Sequence, residues 1–286
     1  MDGLSDKVAV VTGASRGIGA DTARRLAQAG ACVVCAARTL RKGDNAVLGG
    51  SLEETVASIE SDGGRAIAVE TNVANDDACR GLIAQALAAY GRVDVLVNNA
   101  AVGFFGPTLE LKPSRWDLSW RITVSAPVLL SQLVLPGMLE RGSGRIVNVS
   151  SESAIGPGAG PYEPGDYGVG DTAYGAQKAA IERFTQGLAQ EVHGSGVGVM
   201  AVAPSLIVPT PGAVFNQVLA GPEDPRAEPL KYMPEAIYLL ATLPVDDVSG
   251  RMVYSQQLLV EQGLLDSGRG LGVDAARRVT GYAAVG

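Results

Sequence analysis

The sequence predicts an α/β fold, a single-domain doubly wound parallel sheet with helices on both faces. Apolar runs of strand length alternate with helical segments, and the connections between them are short. The first run, Val8 to Val11, is apolar throughout, which suits a strand buried on both faces of a parallel sheet. The 286 residues are 47% hydrophobic and include 37 glycines, so one large core with tight strand-to-helix turns is expected.

The predicted elements follow one another in a regular order. Strands are expected at residues 8–11, 31–37, 66–70, 93–97, 145–149, 197–202 and 252–254. Helices are expected at residues 17–29, 52–61, 76–90, 114–138, 174–193 and 235–243. Ser114 and Asp117 have the spacing of a capping box for the fourth helix, and Pro127 is expected to kink it.

Two segments rich in glycine and proline are expected to be irregular. Residues 152–172 form a loop, and residues 204–234 form a segment that covers the substrate. We assign residues 1–255 to the domain and residues 256–286 to a C-terminal extension, for which the sequence suggests no role.

The composition argues against several classes of protein. A net charge of −7 and a pI of about 4.9 disfavour binding to nucleic acid or to an anionic membrane. No apolar run is expected to reach the ~18 residues of a membrane helix, and the acidic N-terminus is not expected to be a signal peptide. Cys32 and Cys35 should face opposite sides of one strand, so no metal site is predicted. A cytoplasmic location fits the few cysteines.

A glycine-rich turn joins the first strand to the first helix. Between Thr12 and Gly19 the glycines are spaced Gly-x3-Gly-x-Gly. Such a turn lets backbone N–H groups approach a pyrophosphate at the helix N-terminus, because no side chain stands in the way. Its place between an apolar strand and a helix predicts a dinucleotide-binding Rossmann fold. The predicted cofactor-binding residues of the turn are Gly13, Ser15, Arg16, Gly17, Ile18 and Gly19.

The end of the second strand indicates which cofactor is preferred. An NAD site usually has an Asp or Glu there to bond the ribose hydroxyls, whereas this chain has Ala36-Ala37-Arg38. Arg38 and Arg16 offer two guanidinium groups, whose planar geometry suits a 2′-phosphate. NADP(H) is therefore the preferred cofactor. NAD(H) is the alternative if both arginines are solvated surface charges.

Tyr174 and Lys178 are the most informative pair in the chain. Residues four apart on a helix project from one face, so the ammonium should lie near the phenol. A neighbouring positive charge lowers the pKa of a tyrosine, which would equip Tyr174 as a general acid or base. Carbonyl reduction also needs a hydrogen bond that holds the substrate oxygen, and Ser151 at a strand end is the candidate. Ser150 or Ser153 would replace it in a different register.

These features together resemble the short-chain dehydrogenase/reductase family. Further matches are the stretches Gly91 to Ala100, Gly144 to Ser151 and Val202 to Pro204, and the resemblance covers Lys7 to about Tyr254. It implies hydride transfer between a nicotinamide cofactor and an alcohol or carbonyl group, with Ser151, Tyr174 and Lys178 as catalytic residues.

The resemblance also implies contacts to the cofactor outside the glycine turn. Asn98 and Ala100 match the loop that flanks the ribose, and Ile207 matches the segment that borders the nicotinamide carboxamide. The full set of these predicted contact residues is Arg38, Asn72, Val73, Asn98, Ala100, Tyr174, Lys178, Pro204 and Ile207.

The chain departs from the family pattern at four places. Thr123 stands where the family has an asparagine that supports a proton relay; it can substitute if the backbone carbonyl acts, but not if the side chain maintains the helix distortion. Ala101 replaces a glycine. Asn72 replaces an aspartate that bonds the adenine, and its side-chain oxygen can still accept that bond. Residues 156–171 form an added loop that should shape specificity or contact another subunit, with a plain solvent loop as the alternative.

The leading hypothesis is an NADP(H)-dependent oxidoreductase that interconverts an alcohol and a ketone or aldehyde. Its substrate is expected to be hydrophobic, for example a steroid-like, terpenoid or fatty-acyl carbonyl. The alternative is a dinucleotide-binding sensor or scaffold subunit with little turnover, and a third interpretation is a dehydratase or epimerase. The resemblance implies a homodimer or homotetramer paired through the helices at 114–138 and 172–193. The apolar residues behind the substrate expectation are Phe104, Phe105, Leu206, Ile207, Val208 and Phe215.

Overall fold

One parallel sheet lies at the centre of the molecule. The computed structural model describes residues 3–157, 161–162 and 170–274, and these ranges contain seven strands. The strands are β1 (Val8–Thr12), β2 (Cys32–Ala37), β3 (Arg65–Glu70), β4 (Val95–Asn98), β5 (Gly144–Val149), β6 (Val197–Ala203) and β7 (Met252–Tyr254). Their order is β3-β2-β1-β4-β5-β6-β7, which confirms the predicted doubly wound fold. The order reverses between β1 and β4, where such folds bind their ligands.

Helices cover both faces of the sheet. α1, α2, α8 and α10 pack on one face, and α3, α5 and α6 pack on the other. The described helices are α1 (Gly17–Gln28), α2 (Leu52–Ser61), α3 (Asp76–Tyr90), α4 (Pro113–Trp120), α5 (Ala126–Glu140), α6 (Thr172–Glu191), α7 (Pro211–Phe215), α8 (Tyr232–Thr242), α9 (Val245–Val248) and α10 (Ser255–Glu261).

Alternate residues of the strands enter two separate cores. In β1, Val11 packs beneath α1 and α8, whereas Val10 packs beneath α3 and α5. Cys32 and Cys35 also belong to different cores, which confirms that they face opposite sides of β2. Burial raises the pKa of the Cys35 thiol to about 12, so it stays protonated and unreactive at neutral pH.

The predicted fourth helix begins and continues differently from the expectation. It starts at Pro113 after Lys112, so the predicted capping box at Ser114 is wrong. A proline suits this first position because no carbonyl awaits its missing N–H. Residues Arg121–Ser125 form a π-helical turn, and Pro127 lies in the first turn of α5. In a continuous α-helix the Thr123 carbonyl would need the N–H that Pro127 lacks, so the disturbance appears as this π turn.

The same helix corrects the prediction that no apolar run is long enough to cross a membrane. Within the described residues one helix, Pro113–Glu140, meets that criterion of length and composition, with a mean hydropathy of 1.7 in its most apolar window. Half of that window is buried inside the fold. The apolar residues of a core helix satisfy the same criterion, because they face the sheet.

The segment predicted to be irregular, 204–234, contains ordered structure. Ile207 and Ala227 form a parallel bridge, and the short helix α7 lies between them. α8 begins at Tyr232, three residues before the predicted start, with Pro234 in its first turn. A β-carbon built on Gly17 would lie 3.1 Å from Thr210, so the segment lies directly against the glycine-rich turn.

Candidate active site

The glycine-rich turn is built from close backbone approaches. Gly13 has a φ of +71°, a left-handed conformation that favours glycine. A β-carbon on Gly19 would overlap the Gly13 carbonyl, and one on Gly13 would lie 2.7 Å from the Asn99 amide nitrogen. α1 then starts after Arg16 with no side-chain cap and no acidic residue in its first turn. Its first N–H groups are therefore available to an anion.

The end of β4 closes this turn from the other side. Thr12 Oγ1 accepts hydrogen bonds from the N–H groups of Asn99 (3.0 Å) and Ala100 (3.1 Å), and Asn99 Nδ2 donates to the Thr12 carbonyl at 2.8 Å. Asn98 Nδ2 donates to Asn148 Oδ1 at 2.8 Å, while the buried Asn98 Oδ1 has no protein partner. Buried polar atoms usually find a partner, so this oxygen fits a ribose hydroxyl. The residues present thus fit a dinucleotide.

The two arginines predicted to bind phosphate have different environments. Arg16 is committed to the protein: Nε donates to the Gly49 carbonyl at 2.7 Å, and Nη2 donates to Thr39 Oγ1 at 3.0 Å and to the Gly50 carbonyl at 3.1 Å. It thereby fixes the loop between β2 and α2. Arg38 is exposed, and in the described part of the chain it makes no hydrogen bond or ion pair. Burial and the nearby Arg38 charge both lower the pKa of Arg16.

At the adenine end of the predicted site, Asn72 and Val73 follow β3. Asn72 Oδ1 accepts a hydrogen bond from the Ala74 N–H at 3.2 Å, and a second lone pair stays available. Val73 is buried in the core beneath α3.

The two serines after β5, Ser150 and Ser151, make different hydrogen bonds. Ser150 Oγ donates to Glu182 Oε1 at 2.6 Å, so this hydroxyl is committed to α6. Ser151 Oγ accepts a bond from the Ser153 N–H at 3.3 Å, which leaves its own proton available. The turn lies against α6, because a β-carbon on Gly175 would lie 2.5 Å from the Ser153 carbonyl.

Tyr174 and Lys178 occupy the first turns of α6 beside this serine turn. Lys178 is buried, its ammonium donates to the Val149 carbonyl at 2.6 Å, and it lies 5.5 Å from the Tyr174 ring centroid. Burial raises the pKa of Tyr174 to about 12 and lowers that of Lys178 to about 8, the latter against an opposing effect of Glu182. The expected lowering of the Tyr174 pKa by Lys178 is therefore wrong for the protein without cofactor, because desolvation outweighs the charge.

Glu182 is a residue near the site that sequence reasoning missed. It lies four residues after Lys178, on the same helix face, and that spacing could have revealed it. Burial raises the pKa of its carboxyl, whereas the Ser150 hydroxyl and the Lys178 charge oppose that rise.

Thr123 lies in the middle of the π turn, which packs against α6. Its side chain is buried and its Oγ1 has no protein partner. The helix distortion is present with a threonine at this position, so it does not depend on an asparagine side chain. Gln177, next to Lys178, donates from Nε2 to Ser119 Oγ at 2.7 Å and holds α6 against α4.

The mouth of the site is lined by the segment after β4. The Phe105 ring lies 5.6 Å from the Tyr174 ring in a tilted arrangement and is 44% exposed.

The Gly106 N–H donates to the Gly170 carbonyl at 2.7 Å, so one end of the added loop is attached here. Glu163, Asp166 and Tyr167, which the sequence places in this loop, lie outside the described residues. Ile207 is partly exposed, whereas Leu206 and Val208 are buried.

The buried lysine predicts how stability should depend on pH. The pKa of Lys178 is about 8 in the folded protein and 10.5 ordinarily, so between these values the unfolded chain binds more protons. The free energy of unfolding therefore increases as pH rises from about 8 to 10.5. The same contribution is lost as pH falls back through this range to the folded pKa of about 8. We expect the free energy of unfolding of wild type, minus that of Lys178→Met, to rise across this window.

Chemical denaturation at several pH values measures that difference. Cys35 is present in both proteins, so its titration cancels in the subtraction, and Tyr174→Phe in both backgrounds removes the titration of the tyrosine beside Lys178. A difference that stays flat from pH 8 to 10.5 would contradict the burial of a titrating lysine.

The family comparison matches most of the chain. The profile of the short chain dehydrogenase family covers residues 7–216. A short chain dehydrogenase of Pseudocercospora fijiensis is 35% identical over 233 residues, which are 80% of this chain and 69% of that protein. A 3-oxoacyl-[acyl-carrier-protein] reductase of Synechocystis is 37% identical over 207 residues, which are 72% of this chain and 76% of that protein.

Solved structures give the same result. The structure of a metagenomic short-chain oxidoreductase in complex with NADP matches with a TM-score of 0.69 and 32% identity, covering 88% of this chain and 98% of that one.

Proposed function

Because this chain belongs to the short chain dehydrogenase family, it is an NAD(P)-dependent oxidoreductase, and from that premise we propose its reaction. The protein interconverts an alcohol and a ketone or aldehyde on a hydrophobic substrate, with NADP(H) as the preferred cofactor. One observation carries this proposal. The turn after β5, which carries Ser151, packs against the start of α6, which carries Tyr174 and Lys178: a β-carbon on Gly175 would lie 2.5 Å from the Ser153 carbonyl, and the Lys178 ammonium donates to the Val149 carbonyl at 2.6 Å. The resemblance to a 3-oxoacyl reductase supports carbonyl chemistry.

The proposed mechanism assigns one task to each side chain. The bound nicotinamide would supply the hydride for reduction and accept it in oxidation. Tyr174 gives its proton to the carbonyl oxygen as negative charge develops there, and in the other direction it takes the alcohol proton. Ser151 donates a hydrogen bond that holds the same oxygen. Lys178 holds an ammonium 5.5 Å from the Tyr174 ring centroid, where its charge would stabilise the negative charge that develops on the phenol oxygen as the proton leaves.

The same geometry supports a proposal for how the cofactor binds. The open N–H groups after Arg16 would hold the pyrophosphate, and Asn98 Oδ1 would accept a bond from a ribose hydroxyl. Arg38, exposed and without a partner among the described residues, would meet the 2′-phosphate. Ala100, Pro204 and Ile207 would line the remaining surface.

Thr123 is proposed to relay protons through its backbone carbonyl. Pro127 has no N–H, so the bond that this carbonyl would accept in a regular α-helix is missing, and a water molecule would take its place. The threonine thus retains what a backbone relay needs, and the departure from the family pattern does not by itself favour the sensor or scaffold alternative.

Steady-state kinetics with a panel of ketones and aldehydes tests the function, with NADPH oxidation followed by absorbance. Turnover of at least one apolar carbonyl compound is the expected result. Tight NADPH binding without turnover of any panel member, in either direction, would support the sensor or scaffold alternative instead.

Phe105 is expected to select for apolar substrates, since its half-exposed ring lies against Tyr174. Phe105→Ala should raise KM for an aromatic ketone about fivefold, for the loss of about 1 kcal/mol of apolar contact. Leu109→Ala is the matched control, because this neighbouring apolar side chain is fully exposed. Equal kinetic constants for the two variants would show that Phe105 does not contact the substrate.

We also propose a homodimer or homotetramer paired through α4, α5 and α6. The resemblance to the family supports this pairing, and it would cover Leu118 and Leu139, which are more than a third exposed on α4 and α5. Light scattering measures the mass directly, and a monomer would contradict the proposal.

A further inference from the structure

The C-terminal extension returns to the candidate site after α10. Residues 268–274, here called the C-terminal strap, lie across the segment that follows β6. The Leu271 N–H donates to the Ser205 carbonyl at 2.9 Å. Arg269 donates from its backbone N–H to Gln256 Oε1 at 3.1 Å, and from Nη2 to the Ala227 carbonyl at 3.1 Å. The strap therefore bonds both ends of the segment predicted to cover the substrate.

Two glycines allow the strap to lie this close. Gly270 has a φ of +92°, and a β-carbon there would overlap the Ser205 carbonyl. Gly272 has a φ of +77°, and a β-carbon there would lie 2.7 Å from Gln257 Oε1 and 2.8 Å from the Tyr254 ring. Both positions need a left-handed backbone and an absent side chain.

A buried carboxylate holds the layer beneath the strap together. Glu228 is 1% exposed and accepts hydrogen bonds from Ser255 Oγ (2.7 Å), Gln256 Nε2 (3.0 Å) and the Leu206 N–H (3.1 Å). The Ser205 N–H donates to Ser255 Oγ at 3.0 Å. A buried carboxylate is stable only when its lone pairs are satisfied, so the start of α10 and the segment after β6 are fixed to one another. The Gln256 side chain donates to Glu228 and accepts a hydrogen bond from the Arg269 N–H, so it connects the strap to this layer.

The strap also reaches the serine turn. Leu271 is buried in a small apolar cluster with Ala203, Tyr254 and Ile155. Ile155 lies four residues after Ser151, at the end of the turn that positions that serine. On its other side the strap bonds Ser205, two residues before Ile207. The strap thus contacts Ile155, at the end of the turn that positions Ser151, and Ser205, close to Ile207, the residue predicted to border the nicotinamide.

We propose that the C-terminal strap positions the nicotinamide half of the cofactor, with Leu271 as its main positioning residue. This inference rests on the proposed function, because it takes the nicotinamide to lie beside Ile207. The adenosine half would bind at the glycine-rich turn, near Arg38, whereas the described hydrogen bonds from the strap to the rest of the chain go to Ser205, Ala227 and Gln256. Loss of the strap should therefore weaken the two halves of the cofactor unequally.

Binding measurements with NADPH and with 2′,5′-ADP, which lacks the nicotinamide, separate the two halves. In Leu271→Ala and Gly270→Val we expect the Kd for NADPH to rise about fivefold, which is about 1 kcal/mol. The Kd for 2′,5′-ADP should stay at the wild-type value, and kcat for any accepted carbonyl should fall with the same variants. Leu264→Ala is the matched control, a half-exposed leucine in the same extension.

Equal changes in the two Kd values, or no change in either, would overturn the proposal. Melting temperatures identify a variant that fails to fold, and Leu271→Ala adds no bulk, so it provides the decisive measurement if Gly270→Val is unstable. Wild type that binds 2′,5′-ADP as tightly as NADPH would show that the nicotinamide half gains nothing from the site, which also overturns it. Failure of the proposed function looks different: wild type would turn over no carbonyl of the panel, or would bind neither NADPH nor 2′,5′-ADP, whatever the strap variants do.

Discussion

Tyr174→Phe is expected to lower kcat roughly 10²- to 10⁴-fold, the range that a positioned general acid or base contributes. The change removes one oxygen atom and leaves the ring against Phe105. Burial keeps the phenol protonated in the free protein, since its pKa is raised to about 12, so it is ready to donate in the reduction direction. Pre-steady-state or steady-state turnover of an accepted carbonyl, with NADPH binding measured in parallel, tests the expectation.

The Kd for NADPH should change far less than kcat in Tyr174→Phe, because the ring is kept and only the hydroxyl, which is assigned to the reacting oxygen, is lost. Tyr232→Phe is the matched control, since this tyrosine begins α8 and packs against the core on the α1 side. A Tyr174→Phe protein that keeps most of its turnover would exclude the tyrosine as the proton donor. A loss of NADPH binding equal to the loss of turnover would assign it to the cofactor instead.

Arg38→Ala is expected to weaken NADPH binding roughly 10- to 100-fold while NADH binding stays unchanged. The estimate follows from losing charge-assisted hydrogen bonds worth about 1.5–3 kcal/mol. NADH lacks the 2′-phosphate, so its binding does not include the hydrogen bonds that Arg38 would make to that group. Fluorescence titration of both nucleotides on wild type and variant gives the two ratios.

Arg16→Ala provides the comparison that makes this test selective. Arg16 donates to Gly49, Gly50 and Thr39, so its removal should release the loop between β2 and α2 and lower the melting temperature. The two nucleotides should then weaken together. NADPH and NADH binding equally well to wild type would make Arg38 a surface charge and NAD(H) an equal candidate.

The regular part of the fold could be predicted from local sequence. The seven predicted strands agree with the structure within two residues, because apolar runs flanked by glycine turns leave few alternatives. The start of the fourth helix was predicted wrongly, since Ser114 and Pro113 both favour a helix start and only the proline takes the first position. The π turn at Thr123 was not predicted, because it depends on how Pro127 is accommodated within a packed helix.

The environment of the candidate site depends on contacts between distant residues. Spacing along one helix brings Tyr174 and Lys178 together, but their pKa values follow from burial, which no local pattern reveals. Arg16 and Arg38 look equivalent in the sequence. They differ in the structure because the carbonyls of Gly49 and Gly50 face one of them only.

The sequence by itself determined the doubly wound sheet, the glycine-rich turn and the pairing of Tyr174 with Lys178. Each of these follows from residues close together in the chain, whose backbone conformation and periodicity leave one outcome. Tertiary structure alone decided that Ser150 bonds Glu182, that Phe105 lies against Tyr174, and that the C-terminal strap reaches Ser205. These contacts join residues that lie 32, 69 and 66 positions apart, so packing and not local preference selects them.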